Sequence, residues 1–142
     1  MNRSILKAIG LVTFLSLAPA AHATASPAAE ATVVIPATSA EIWKAIDARM
    51  VELRADIGKG ALKNVHKHAF AVRDLVRGLP SRSSGLSAAA ITNVTAQVPF
   101  VDTLAARLDQ TGDANDKPGT EANLAKLENV LKTIRANYPA AK

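Results

Sequence analysis

The sequence lacks cysteine altogether and is poor in aromatic residues. With no Cys, disulfides, zinc–thiolate sites, iron–sulfur clusters, thiol nucleophiles and the Cys-x-x-Cys-His attachment of c-type haem are excluded. Aromatic residues are only 4% of the 142 residues, which argues against base-stacking platforms and carbohydrate grooves. What is abundant is Ala and Leu, within a hydrophobic content of 49%. This composition and length predict a single domain of packed helices.

The first 23 residues have the pattern of a cleaved secretory signal. Two basic residues precede an apolar run at positions 8–18, and Ala21-His22-Ala23 is an A-x-A cleavage site. A membrane-spanning helix needs about 20 apolar residues, so this run is too short, and no later segment qualifies as a transmembrane segment. We therefore expect cleavage after Ala23, a periplasmic protein and no nucleic-acid partner.

The rest of the chain predicts a tail and four helices. Residues 24–37 are rich in Ala, Thr and Pro without a sustained period, which indicates a flexible lead-in. Thr38 and Glu41 have the spacing of a capping box, where the first helix begins. The Gly58-Lys59-Gly60 segment, which tolerates a left-handed cap, ends that helix. The second helix is predicted from about Ala61 to Leu79, before Pro80. The third runs from near Ser87 to Gly112, and the fourth covers 120–137 after a turn at 113–119.

Each predicted helix carries one apolar stripe with alternating spacings of three and four residues. The positions of the four stripes are Trp43, Ile46, Met50, Leu53 and Ile57; Leu62, Val65, Ala69, Val72, Val76 and Leu79; Ile91, Val94, Val98, Val101, Leu104, Ala105 and Leu108; and Leu124, Leu127, Leu131, Ile134 and Tyr138. The pattern leaves open whether Trp43 is buried or exposed. Four such stripes joined by short loops predict an all-α fold, an antiparallel up-down-up-down four-helix bundle over residues 38–142.

Pro99 lies inside the apolar pattern of the third helix. Proline in a helix interior removes a backbone hydrogen bond and clashes with the preceding turn. We expect a kink at Pro99 or a break into two shorter helices.

The segment around His66 and His68 is the most informative for chemistry. Imidazole is the commonest protein metal ligand, and these histidines follow the predicted cleavage site. Side chains that are two residues apart on a helix point in nearly opposite directions, so His66 and His68 cannot chelate one ion from the same turn. Because the first two helices fold back on each other, Met50 is expected level with residue 69, within reach of whichever histidine turns inward. Met50 with His66 or His68 would suit copper as Cu(I), or less readily a low-spin haem iron.

Positive charge is concentrated in the first helical hairpin. Residues 39–82 contain nine Lys and Arg against five acidic residues. Such a stripe can contact anionic lipid headgroups or an acidic envelope partner. The same pattern is also typical of an ordinary solvated helix face.

The export signal, size and four stripes resemble the soluble periplasmic bundle cytochromes of the b-type and c-prime families. The resemblance covers residues 39–138 and implies the bundle architecture. The haem motifs do not carry over: a c-prime cytochrome uses Cys-x-x-Cys-His, and a b-type bundle uses an early Met in its first helix and a late His in its fourth. Here Met50 is in mid-helix and the fourth predicted helix has no His.

The stretches Trp43-Lys44-Ala45-Ile46-Asp47 and Val65-His66-Lys67-His68-Ala69-Phe70-Ala71-Val72-Arg73-Asp74-Leu75 are similar to uncharacterised small periplasmic proteins associated with heavy-metal efflux systems. This similarity implies a metal-related accessory role and assigns no ligand residues.

No constellation of acid, base and nucleophile is visible in the sequence, so a non-enzymatic binding protein is predicted. Its most specific form binds a transition metal, copper first, through Met50 and His66 or His68. The alternatives are a cofactor-free envelope interaction module that docks through the basic first hairpin, and a b-haem electron carrier.

Overall fold

Four helices packed against each other make up the fold in the computed structural model, which describes residues 33–139. They are α1 (Ser39–Gly58), α2 (Val65–Gly78), α3 (Ala88–Asp113) and α4 (Lys117–Arg135). Short 3₁₀ turns at Leu62–Asn64 and Pro80–Arg82 precede and follow α2. No strand occurs between residues 33 and 139. The predicted all-α class and four helices are confirmed.

The predicted signal peptide and the lead-in up to residue 32 lie outside the described residues. The end of the lead-in is described, and there Val33 and Ile35 pack against the core. None of the helices in the described part of the chain is long and apolar enough to cross a membrane.

Local capping signals define where α1 begins and ends. The Thr38 hydroxyl accepts a hydrogen bond from the Glu41 backbone N–H at 3.2 Å, and the Glu41 carboxylate accepts one from the Thr38 backbone N–H at 3.2 Å. This reciprocal capping box satisfies two N–H groups that the first helical turn leaves unpaired. Beyond the other end, Gly60 has φ 75°, a left-handed conformation that a residue without Cβ adopts readily.

The start of α4 was predicted three residues too late. Residues 117–119 are helical, because Asp116 caps the helix by accepting a hydrogen bond from the Gly119 N–H at 3.0 Å. Pro118 is tolerated in the first turn, where a backbone N–H would have no helical partner in any case. The predicted turn at 113–119 is therefore shorter.

Of the two outcomes predicted at Pro99, the break into two shorter helices is wrong, because α3 continues through it from Ala88 to Asp113; the kink stays a prediction. Pro99 lies on the exposed side of α3, whereas Val94 and Val101 on either side of it are fully buried. Burial of the helix on both sides of Pro99 offsets the loss of one backbone hydrogen bond on the water-facing side.

The stripes predicted from the sequence meet in one hydrophobic core. Every stripe position of the first two helices is buried, including Trp43, which is 8% exposed. The largest fully buried side chains are Ile42, Ile46, Leu53, Leu75, Leu79, Leu108, Leu127 and Ile134. Each helix packs extensively on the next along the chain, whereas α1 and α4 touch only slightly. The bundle is therefore open along one seam.

Candidate functional site

His68 is the histidine that turns inward. It lies on α2, is 5% exposed, and faces two carboxylates of α1. Oε2 of Glu52 is 3.1 Å from its Nδ1, and Oδ2 of Asp56 is 3.3 Å from its Nε2. The ring is thus held between two acidic side chains that are four residues apart, on one face of α1.

The two ring nitrogens of His68 are in unequal environments. Nδ1 is buried and makes no hydrogen bond, although the Glu52 oxygen is within ion-pair distance. Burial, which disfavours the charged imidazolium, lowers the pKa of His68 below its ordinary value of 6.5, and this effect outweighs the opposing attraction of the Glu52 carboxylate. Lys67 and Arg49 lower the pKa further, and Asp56 raises it. The lowered pKa favours the neutral form of the His68 ring.

His66 is exposed and is not directed toward His68. Its Nδ1 lies 2.8 Å from the backbone oxygen of Lys63, one turn earlier in the chain. Because a carbonyl oxygen only accepts, Nδ1 carries the proton and donates it in this hydrogen bond. The remaining nitrogen, Nε2, is the one that could bind a metal ion.

Met50 is a core residue, 3% exposed, on the side of α1 that faces α4. It lies beside Trp43, Leu131 and Tyr138 along the open seam. Glu52 and Asp56, which contact His68, lie on a different side of α1.

The three predicted metal ligands are therefore distributed over three places: the α1–α4 seam, the surface of α2 and the α1–α2 interface. Within residues 33–139, no group of three His, Cys, Asp or Glu side chains is arranged to hold a metal ion. Glu52 and Asp56 approach opposite nitrogens of the His68 ring, so they do not share one coordination point. The copper and haem hypotheses remain predictions from the sequence.

In the basic hairpin four arginines form ion pairs, whereas Arg82 and the lysines form none with the described residues. Arg49 pairs with Glu52 at 2.9 Å, and Arg54 pairs with Glu128 at 2.7 Å. The other ion-paired cations of the hairpin are Arg73, with Asp74, and Arg77, with Asp74 and Asp102. Two of the partner carboxylates, Glu128 of α4 and Asp102 of α3, lie outside the hairpin.

Three lysines stand at the corner where α1 passes into α2: Lys59, Lys63 and Lys67. All three are exposed, and none forms an ion pair with another described residue. Lys59 caps the end of α1, Lys63 lies in the 3₁₀ turn and Lys67 in the first turn of α2. We call these three residues the lysine corner.

Two features of the site were missed in the sequence analysis. The carboxylates around His68 could have been found from the spacing of Glu52 and Asp56, because residues four apart share a helix face. The open α1–α4 seam had no local signal, since it depends on how far apart two helices lie that are distant in sequence.

Comparison of the chain with protein-family models, curated proteins and solved structures finds no match.

Proposed function

We propose that the protein is an exported, non-enzymatic interaction module that docks on anionic lipid headgroups of the envelope through the lysine corner. The observation that carries the proposal is that Lys59, Lys63 and Lys67 are exposed and unpaired within nine residues, while the neighbouring arginines are neutralised by acids. A flexible lysine near an anionic membrane surface contributes about 1 kcal/mol. Three together give reversible binding that depends on salt.

The surroundings of the lysine corner favour lipid headgroups over an acidic protein. Stable protein interfaces have a buried core that is depleted in charge and rich in apolar and aromatic residues. The large hydrophobic side chains that are exposed between residues 33 and 139 are Val34, Val51 and Phe100, and none of them is at this corner. Contact there is electrostatic, as expected for a peripheral approach to headgroups.

The binding test uses vesicles of phosphatidylglycerol and phosphatidylcholine, with pure phosphatidylcholine vesicles for comparison. The protein used in this test begins at Thr24, the residue after the predicted cleavage site, because the apolar segment before it would itself bind lipid. Cosedimentation should show binding to the anionic vesicles alone, decreasing as salt rises. A Lys63→Glu, Lys67→Glu variant should bind at least about thirtyfold more weakly, since two contributions of about 1 kcal/mol are lost.

The matched control is Arg107→Glu, Lys126→Glu, which changes the net charge equally at two exposed cations of α3 and α4 that form no ion pair with any described residue. It should retain most of the binding. If both variants lose vesicle binding to the same extent, the binding depends on the total net charge of the protein and not on the lysine corner. Equal binding to neutral vesicles would also contradict the proposal.

The double variant His66→Ala, His68→Ala distinguishes the metal-binding hypothesis from the lipid-binding role. That variant should leave vesicle binding unchanged, because neither histidine belongs to the lysine corner. A Cu(I) titration that raises the thermal midpoint of the parent chain, and fails to do so in this variant and in Met50→Leu, would instead support a metal-binding role.

The helices are inferred to run up-down-up-down, as the sequence predicts. The contacts between helices support this arrangement. Across α1 and α4, Asp47 pairs with Arg135 and Arg54 with Glu128, so residue numbers rise along one helix as they fall along the other. In this topology the lysine corner and the α3–α4 turn lie at the same end of the bundle. In agreement with this, the Lys117 ammonium lies 3.5 Å from the backbone oxygen of Gly58.

A further inference from the structure

The open seam between α1 and α4 contains a groove of about 790 Å³. Small-molecule sites in proteins enclose roughly 300–1,000 Å³ and are lined mainly by apolar side chains with a few polar groups. This groove has that composition: Ile46, Met50 and Leu131 form its floor, and Val51, which is 62% exposed, lies at its edge. An exposed valine beside a buried apolar floor leaves a continuous hydrophobic strip open to water.

The charges of the groove leave one cation uncompensated. Arg135 pairs with Asp47 at 2.6 Å, and Arg54 pairs with Glu128 at 2.7 Å, each across the seam. The remaining charged residue is Lys132, which is exposed and forms no ion pair with any residue between 33 and 139. A ligand with an apolar body and one negative charge complements this arrangement.

Trp43 at one end of the groove has an unmet hydrogen-bonding group. Its side chain is buried, and its indole Nε1–H has no acceptor among the described residues. Buried donors are nearly always paired, so an unpaired one calls for an explanation. The Arg135 guanidinium lies 4.2 Å from the centre of the indole ring and forms a cover that a ligand could displace.

The length of the groove selects the kind of occupant. Its lining on α1 extends from Trp43 to Arg54, a rise of about 16 Å at 1.5 Å per residue. A stable protein partner typically covers about 800 Å² on each side, which is more than a strip of this length and one helix pair in width provides. A single narrow chain fits better than a partner helix.

We propose that the α1–α4 groove binds a single-chain amphiphile with an anionic head group, of the fatty-acid class, with its chain along Met50 and Leu131 and its head group at Lys132. This inference does not rest on the docking function, since the groove and the lysine corner share no residue.

The probe is dodecanoate, titrated below its micellar concentration. Trp43 is the sole tryptophan of the chain and lines the groove, so its fluorescence reports occupancy directly. Saturable binding should shift the emission of Trp43. Val51→Asp and Lys132→Glu should each weaken the binding by about tenfold or more, as expected for loss of an apolar contact or of one charge-assisted contact.

The matched controls are an exposed hydrophobic residue and an exposed lysine that lie outside the groove. Phe100, 58% exposed on α3, is the counterpart of Val51, and Lys126 on α4 is the counterpart of Lys132. Phe100→Asp and Lys126→Glu should bind dodecanoate as the parent chain does. All four positions are exposed, so the variants should keep the fold, which circular dichroism checks.

Several outcomes would overturn the proposal. If Trp43 emission shows no saturable change, dodecanoate does not bind in the groove. The same conclusion follows if the groove variants and the control variants weaken dodecanoate binding equally. Equal affinity for dodecyltrimethylammonium would remove the preference for an anionic head group. Dimerisation of the free chain that Val51→Asp abolishes would make the groove an interface between copies. Because Lys63→Glu, Lys67→Glu should bind dodecanoate normally and Val51→Asp should bind vesicles normally, failure of either proposal is recognised separately.

Discussion

The guanidinium of Arg135 lies 4.2 Å above the ring of Trp43, and the same side chain reaches across the seam to Asp47 at 2.6 Å. One residue near the end of α4 thus covers the indole and connects two helices that otherwise touch only slightly. The edge of the Trp43 ring also meets the Tyr138 ring, with centroids 5.5 Å apart.

Arg135→Ala should destabilise the protein by about 0.5–1.5 kcal/mol, through loss of the cation–π contact and an ion pair that solvent screens. The side chain of Arg135 is 46% exposed, which keeps the effect modest. Urea denaturation followed by Trp43 emission measures it. Arg107→Ala is the control, because Arg107 is exposed and forms no ion pair within residues 33–139, and it should change the unfolding free energy little. An equal loss in both variants would show that the Arg135 contacts contribute nothing specific.

His68 makes stability depend on pH. Its pKa is lowered by burial in the folded state and has its ordinary value of 6.5 when unfolded. The unfolded chain therefore binds the proton first, and stability falls as pH decreases from 6.5 toward the lowered pKa of the folded state. Urea midpoints between pH 7.5 and 5 should show this slope.

His68→Gln should flatten that pH dependence, whereas His66→Gln, at an exposed position, should keep it. The two variants remove one histidine each, so their unfolded chains titrate alike. Rising stability of the parent chain below pH 6.5 would show that the attraction of Glu52 and Asp56 for the imidazolium outweighs burial.

Gly112 is required where α3 passes the 3₁₀ turn before α2. A Cβ added there would lie 2.7 Å from the backbone oxygen of Leu62 and 3.4 Å from Cβ of Val65. Gly112→Ala should therefore cost about 1–3 kcal/mol, as overpacking against backbone does. Gly58→Ala is the matched control, because an added Cβ meets nothing within 4 Å in α1, and alanine favours the helix. Thermal melts of the two variants should move in opposite directions.

Pro99→Ala should raise the free energy of unfolding by about 1–3 kcal/mol, because alanine restores a backbone N–H within α3 and favours helix. Pro99 is exposed, so the substitution leaves no cavity in the core. Chemical denaturation measures the change, with Gln97→Ala on the same helix as the control for helix propensity alone. A loss of stability would mean that α3 needs the geometry that proline imposes.

The sequence by itself predicted most of the buried positions and the starts of α1 and α3. It placed the start of the second helix at about Ala61, four residues before α2 begins at Val65, and Ile91, Val98, Leu124 and Tyr138 are only half-buried. Apolar spacing of three and four is a local property of a helix with 3.6 residues per turn. It therefore placed Ile46, Met50 and Leu53 in the core before any neighbour was known, whereas the burial of Trp43 is known only from the structure. Caps are equally local, as the Thr38–Glu41 capping box shows.

The tertiary structure decided the features that depend on the distance and rotation between helices. In the structure His68 faces Glu52 and Asp56, and His66 is exposed. Met50 lies on the face of α1 that is directed toward α4. The tertiary structure also kept α3 continuous through Pro99 and left α1 and α4 apart. The apolar pattern defines one face for each helix but not which neighbour that face meets. That choice follows from packing the whole core, in which the burial of many side chains outweighs the local preference of any single residue.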